Sequence, residues 1–226
     1  MTTNRLLRRL VHDEAGGPLV EAAVLIPILF FFLFGAIDFS FLFYQWSAAA
    51  KAVEVGARIA AVSDPVASGL KSISDAAVNG ANAGDPLPSF KVTCNGHTTQ
   101  CVLTNASFSA TLTYDASAMQ KIVYGRSGGT SCATPSSYYF AGMCNFFPGL
   151  TTDNVQVVYE QTGLGYVQSS DGPQPTVTVS LLQTPDSAAR KFRFFFLGGL
   201  KGFPDAKIPP FTTTVTGEIL SASPQP

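Results

Sequence analysis

The stretch that opens at Gly16-Gly17-Pro18-Leu19-Val20-Glu21 and runs to Tyr44 limits the possible folds of this chain more than any other part. From Ala22 to Ile37 it holds no charged residue, Phe, Leu and Ile predominate, and Asp38 separates it from a second apolar run, Phe39 to Tyr44. At 1.5 Å per residue, a helix from Glu21 to Phe43 is about 33 Å long, enough to cross the hydrocarbon core of a bilayer. A membrane-spanning helix over about residues 22–44 is expected. Arg5, Arg8 and Arg9 precede it, whereas Lys51 and Arg58 follow among small residues with Glu54 nearby. That bias, reduced by Asp13 and Glu14, places the N terminus in the cytoplasm and the C-terminal part outside. A carboxylate inside an apolar helix costs a few kcal/mol, so Glu21 and Asp38 should be paired, at an interface or functional.

The remainder of the 226 residues is enough for one modest domain. Charges nearly cancel, with 14 Lys+Arg against 15 Asp+Glu, and no cluster suited to neutralising phosphates stands out. Nucleic acid is therefore not an expected partner. Cys94, Cys101, Cys132 and Cys144 all fall on the side expected to be outside. In an oxidising compartment they read as disulfides with three possible connectivities, of which the local pairs Cys94–Cys101 and Cys132–Cys144 are favoured. Closing the first loop constrains the unfolded chain by about 2 to 3 kcal/mol.

Three segments are expected: a leader over 1–16, a long N-terminal helix over 17–62, and an extracytoplasmic α+β domain over 63–226. Pro27 removes one backbone donor and should kink the helix. The Ala-rich sequence after Trp46 favours continuation to about Val62. Ala49, Val53, Gly56 and Ala60 give that continuation a small-residue face, available to its own domain or to partner subunits. A secretory signal cleaved near Ser47-Ala48-Ala49 is the rival reading, disfavoured by the length of the apolar run.

Asp64-Pro65 reads as the N-cap of a second helix, with Val66, Leu70, Ile73 and Ala77 as its apolar stripe and Asn79-Gly80 as its stop. Beyond Phe90 the pattern changes to period two. Phe108, Ala110, Leu112 and Tyr114 suggest one strand, Val155, Val157 and Tyr159 another, and Val177, Val179 and Leu181 a third. Thr212 to Ile219 suits an edge strand, and Gly125 to Gly149 a disulfide-tied surface loop. Arg190 to Leu197 mixes cations with aromatics, as a core segment turning at Gly198-Gly199 or as a lipid or partner contact. The fold class is α+β: a long N-terminal membrane-spanning helix, a second short helix and an antiparallel β-sheet outer domain.

Catalysis finds little support. Only His12 and His97 are present, and His97 lies on a loop between two cysteines with no nucleophile-bearing turn beside it. Cys94, His97 and Cys101 match no strong zinc spacing, no glycine run opens a helix after a strand, and no pair of carboxylates is singled out. An enzyme is not expected, nor is a cofactor or metal.

A basic leader, a glycine, and a mature fifth residue Glu leading into an apolar helix resemble prepilins processed by prepilin peptidase. Val20-Glu21, Pro27, Gly35-Ala36-Ile37-Asp38-Phe39 and Gly56-Ala57-Arg58-Ile59-Ala60-Ala61 are similar to the TadE-like minor pilins of tight-adherence (Flp, type IVb) pili. Thr176 to Leu182 and Phe211 to Leu220 look like that family's last strands. Two positions differ: Ala22 stands where an aromatic residue is common, and Pro18 where small residues are usual. The resemblance implies cleavage between Gly16 and Gly17, and a role for Glu21 in setting subunit register against a neighbour's new α-amino group. It implies a pilin-like fold in the bacterial inner membrane and a part in starting or capping a pilus. The implied partners are prepilin peptidase, other minor pilins, the major pilin and the inner-membrane assembly platform. The alternatives are a membrane-anchored extracytoplasmic binding or adhesion protein outside any filament, and a signal-anchored hydrolase.

Overall fold

No helix-stopping signal interrupts the chain between the apolar run and the Ala-rich segment, and one helix results. In the computed structural model, which describes residues 17–78, 81–126, 129–134, 141–170, 172–182 and 211–217, helix α1 spans Gly17–Val62, with Pro27 inside it. The chain divides into two compact units; of the described residues, 17–44 make the first and the rest make the second. The leader, Asn79-Gly80, Arg190 to Leu197 and Gly198-Gly199 lie outside the described residues.

After α1 the chain departs from the expected second helix. Ala67–Ser68 form a short strand, β1, followed by a 3-10 turn at Leu70–Ser72 and a four-residue helix, α2, at Ile73–Ala76. Gly69 is the cause: its φ of 92° is left-handed, which a continuing right-handed helix excludes. The apolar stripe was read at the right positions nonetheless, because Val66, Leu70, Ile73 and Ala77 are all buried. The strand expected over Phe108 to Tyr114 is likewise confined to β4, Thr113–Tyr114, which pairs antiparallel with β1. Phe108 is buried without belonging to a strand, packing edge-on to Phe90 at 6.4 Å between ring centroids.

The main sheet has five antiparallel strands in the order β3-β2-β5-β6-β7, with β2 at Lys91–Asn95, β3 at Gln100–Thr104, β5 at Val155–Glu160, β6 at Thr176–Leu181 and β7 at Thr212–Thr216. Strict alternation sends Val92, Val157, Tyr159, Val177 and Val179 inward, all fully buried. The outward face is mostly neutral polar side chains, with Val102 and Val158 flanking Thr93 at one place. Thr93, Thr104, Thr176, Thr178, Thr212, Thr214 and Thr216 share it, and its two charged members, Lys91 and Glu160, sit opposite each other at 3.7 Å.

Two further helices complete the core. Helix α3, Ala116–Tyr124, starts at Asp115, whose carboxylate accepts from the N–H groups of Ser117 and Ala118. It buries Ala118, Met119, Ile122 and Val123. Helix α4, Met143–Phe146, lies within the segment expected to be surface loop, yet Met143 and Cys144 are buried. Tyr159 ties sheet to helix end: its hydroxyl accepts from the Val66 N–H at 2.9 Å. Burial, opposed by that hydrogen bond, pushes this phenol well above its ordinary pKa.

Both disulfides close locally, Cys94 with Cys101 and Cys132 with Cys144. The first joins directly opposed residues of β2 and β3 across a Cα separation of 4.0 Å, the close spacing of a non-hydrogen-bonded pair. The second fastens Cys132 to α4, where Asn145 also donates to the Ala133 carbonyl at 2.7 Å.

Candidate functional site: the apolar N-terminal helix

Of the residues singled out from the sequence, Gly17, Glu21, Pro27 and Asp38 lie on α1. Gly17, the first described residue, is helical and exposed. Glu21 follows four residues later, one helical turn on, so it shares a face with Gly17 and is exposed too. Between Leu19 and Trp46 nearly every large apolar side chain is exposed, including Phe31, Phe32, Leu29 and Tyr44. The helix is long and apolar enough to cross a membrane, and its most apolar window has no burial against the rest of the chain. A surface this apolar is unstable in water; it suits lipid or other apolar helices.

Asp38 breaks the pattern, being only 3% exposed, and Gly35, Phe41 and Leu42 on the same face are half-buried. Its neighbours Ile37 and Phe39 are exposed, so the burial belongs to one side of the helix at this level. Ser40, on the next position but one, returns its hydroxyl to the Ala36 carbonyl at 2.8 Å, keeping its polarity within the helix.

Past Gln45 the same helix changes its role. Ala49, Val53, Gly56 and Ala60, the small-residue face, are all buried within the second unit. At Gly56 the fit is tight: a Cβ there would lie 2.5 Å from Met143 Sδ. Of the two uses foreseen for this face, packing on its own domain is seen directly. The opposite side carries Glu54, bonded to Lys51 at 2.9 Å and to Arg58 at 2.7 Å. The Lys51 hydrogen bond, against a smaller desolvation effect, holds the Glu54 carboxyl below the usual range.

These observations meet in one comparison. A family model described as TadE-like protein matches residues 19–58. This stretch is TadE-like. The TadE-like segment covers the exposed apolar part of α1 and most of the buried part. No curated protein and no solved structure matches the chain.

Away from the TadE-like segment, His97 lies in the turn joining β2 to β3, where its N–H donates to Asn95 Oδ1 at 2.8 Å. Among the described residues no group of three His, Cys, Asp or Glu side chains is placed to hold a metal ion. Sequence reasoning overlooked a groove between residues 83–84 and the loop from Leu164 to Gln174. The available signal was compositional: between β5 and β6 the chain is rich in Gly, Gln and Ser, with one tyrosine, Tyr166, and one charged residue, Asp171.

Proposed function

We propose that this chain is a minor pilin or pseudopilin of a tight-adherence type IVb pilus. Residues 1–16 act as a leader that prepilin peptidase removes between Gly16 and Gly17. The apolar part of α1, about residues 22–44, then holds the protein in the inner membrane, with the α+β domain on the periplasmic side. Assembly with other minor pilins, the major pilin and the inner-membrane platform starts or caps the filament. The observation that carries the reading is the coincidence of the TadE-like match with an exposed apolar helix that carries the exposed carboxylate of Glu21.

The physical role of processing is to supply a charge. Cleavage would give Gly17 an α-amino group that is protonated near neutral pH. In an apolar bundle a carboxylate and an ammonium attract strongly, while either alone is costly. Glu21 of one subunit meeting the amine of another therefore favours one axial register over its neighbours.

Intact-mass measurement on membrane-extracted protein tests the reading. A mature chain starting at Gly17 is expected; a chain retaining its arginine-bearing leader where sibling pilins are trimmed overturns it. Glu21→Ala is expected to remain cleaved and membrane-bound while its recovery with assembled pili drops. Wild-type recovery in that variant would exclude the register role.

A further inference from the structure

We propose that Trp46 and Phe211 form a lipid-contacting foot, which sets the start of β7 in the outer headgroup layer of the bilayer. The proposal rests on the reading of residues 22–44 as a membrane span and extends it to the outer domain. The two rings meet edge-on, 5.6 Å apart between centroids and 79° between planes. Neither is sealed: Trp46 is 44% exposed and Phe211 is half-buried. Phe211 immediately precedes Thr212–Thr216, and its carbonyl accepts from the Leu181 N–H at the end of β6 at 3.3 Å, so the sheet fixes where its ring stands.

The face of α1 that carries Trp46 indicates what covers it. Phe43, Trp46, Ala49 and Val53 follow at spacings of three, three and four, one stripe of a helix. Along that stripe exposure falls from 57% at Phe43 to 44% at Trp46 and to none at Ala49 and Val53. Trp46 therefore stands where cover by the protein's own core gives way to whatever surrounds the apolar helix. Its depth agrees with lipid. With Ala22 at the inner edge of the hydrocarbon, Trp46 lies about 36 Å farther along the helix axis, or about 34 Å at a usual tilt of about 20°. That is beyond a hydrocarbon core of about 30 Å and within the headgroup layer that brings the bilayer to roughly 40–45 Å. An indole suits this layer: its body is apolar, and its single N–H donor finds carbonyl and phosphate oxygens there. No charged residue lies between Asp38 and Lys51, and β7 carries none, so neither element brings a charge into the layer.

Trp46 is the only tryptophan, so its fluorescence reports this site alone. The full chain would be reconstituted at high lipid excess in phosphatidylcholine vesicles brominated on the acyl chains, either close to the glycerol or close to the chain end. Iodide on both sides of the bilayer serves as the aqueous quencher. Quenching is expected to be strongest with the shallow bromine and weak with the deep one, and iodide should quench far less than in the urea-unfolded chain. The double variant Trp46→Phe, Phe211→Trp keeps an aromatic pair and moves the reporter to the entrance of β7, where the same ordering is expected. Flotation of the vesicles reads the span separately. A chain that stays in the soluble fraction overturns the span and the foot together. A chain that floats overturns the foot alone if either reporter is quenched most by deep bromine, or by iodide as freely as the unfolded chain, the result expected of a face reserved for a partner subunit's helix.

Discussion

At the scale of single residues, the positions that matter most are those whose neighbours cannot give way. Gly56 faces the buried thioether of Met143. Gly56→Val should destabilise the outer domain by about 1–3 kcal/mol through overpacking, and adding Met143→Ala should restore part of the loss, a coupling that denaturant titration of the four variants would reveal. Asp115 is the corresponding electrostatic case. Desolvation pushes its carboxyl up, but the Ser117 hydroxyl, the N–H groups of Ala118 and Ser117, and Lys121 together bring it below its ordinary value. A depressed folded-state pKa adds stability that is complete above the unfolded value of about 4 and fades as pH falls through the folded one. Asp115→Ala should cost about 1 kcal/mol at neutral pH and progressively less under acid, measured by urea titration at several pH values. Tyr114, half-buried beside these groups, has its phenol pushed up to about 12 by burial and then by Asp153 and Asp115. Its ultraviolet titration should follow that of exposed tyrosines, which ionise near pH 10.

At the scale of elements, the disulfides have separable effects. In the chain-entropy picture the Cys94–Cys101 closure is worth about 2.5 kcal/mol and Cys132–Cys144 about 3 kcal/mol. Replacing Cys132 and Cys144 by Ser should lower the midpoint of thermal unfolding and expose the Cys132 segment to limited proteolysis before the β2–β3 hairpin. The contrast between elements foreseen and missed has a physical basis. Strands β5 and β6 were legible because each is fully buried on one face and partly exposed, mostly polar, on the other, so period two is written into Val155 to Tyr159 and Val177 to Leu181. Helix α1 was legible for the opposite reason, being apolar throughout and then Ala-rich, with no stop until Val62. The region from Val66 to Ala77 misled because burial at spacings of four and three survives in a strand, a 3-10 turn and a short helix joined at Gly69. Alternation from Ser107 to Tyr114 misled because only its last two residues find a strand partner, and the pattern says nothing about partners. Of the candidate site, Glu21 stands out by its charge beside an apolar run and Gly17 only through the resemblance, whereas the groove depends on residues 83–84 meeting the β5–β6 connection, a proximity that one-dimensional patterning does not encode.

At the scale of the whole molecule, the unit boundary falls inside α1, after Tyr44, rather than at its end. Ala49, Ala52, Val53, Ala57 and Ala60 belong to the core of the second unit, so the helix is both shaft and packing element. A truncated chain starting at Gln45 should therefore fold and be soluble, while one starting at Ser63 should lose several buried side chains and remain unfolded, a difference that circular dichroism and size-exclusion chromatography would register. The outward sheet face has a different bearing. Its threonines present hydroxyls, and its lone cation and anion neutralise each other. Ions in solution screen charge but leave uncharged hydrogen bonding almost untouched. A partner engaged through this face would hold as firmly in brine as in fresh water.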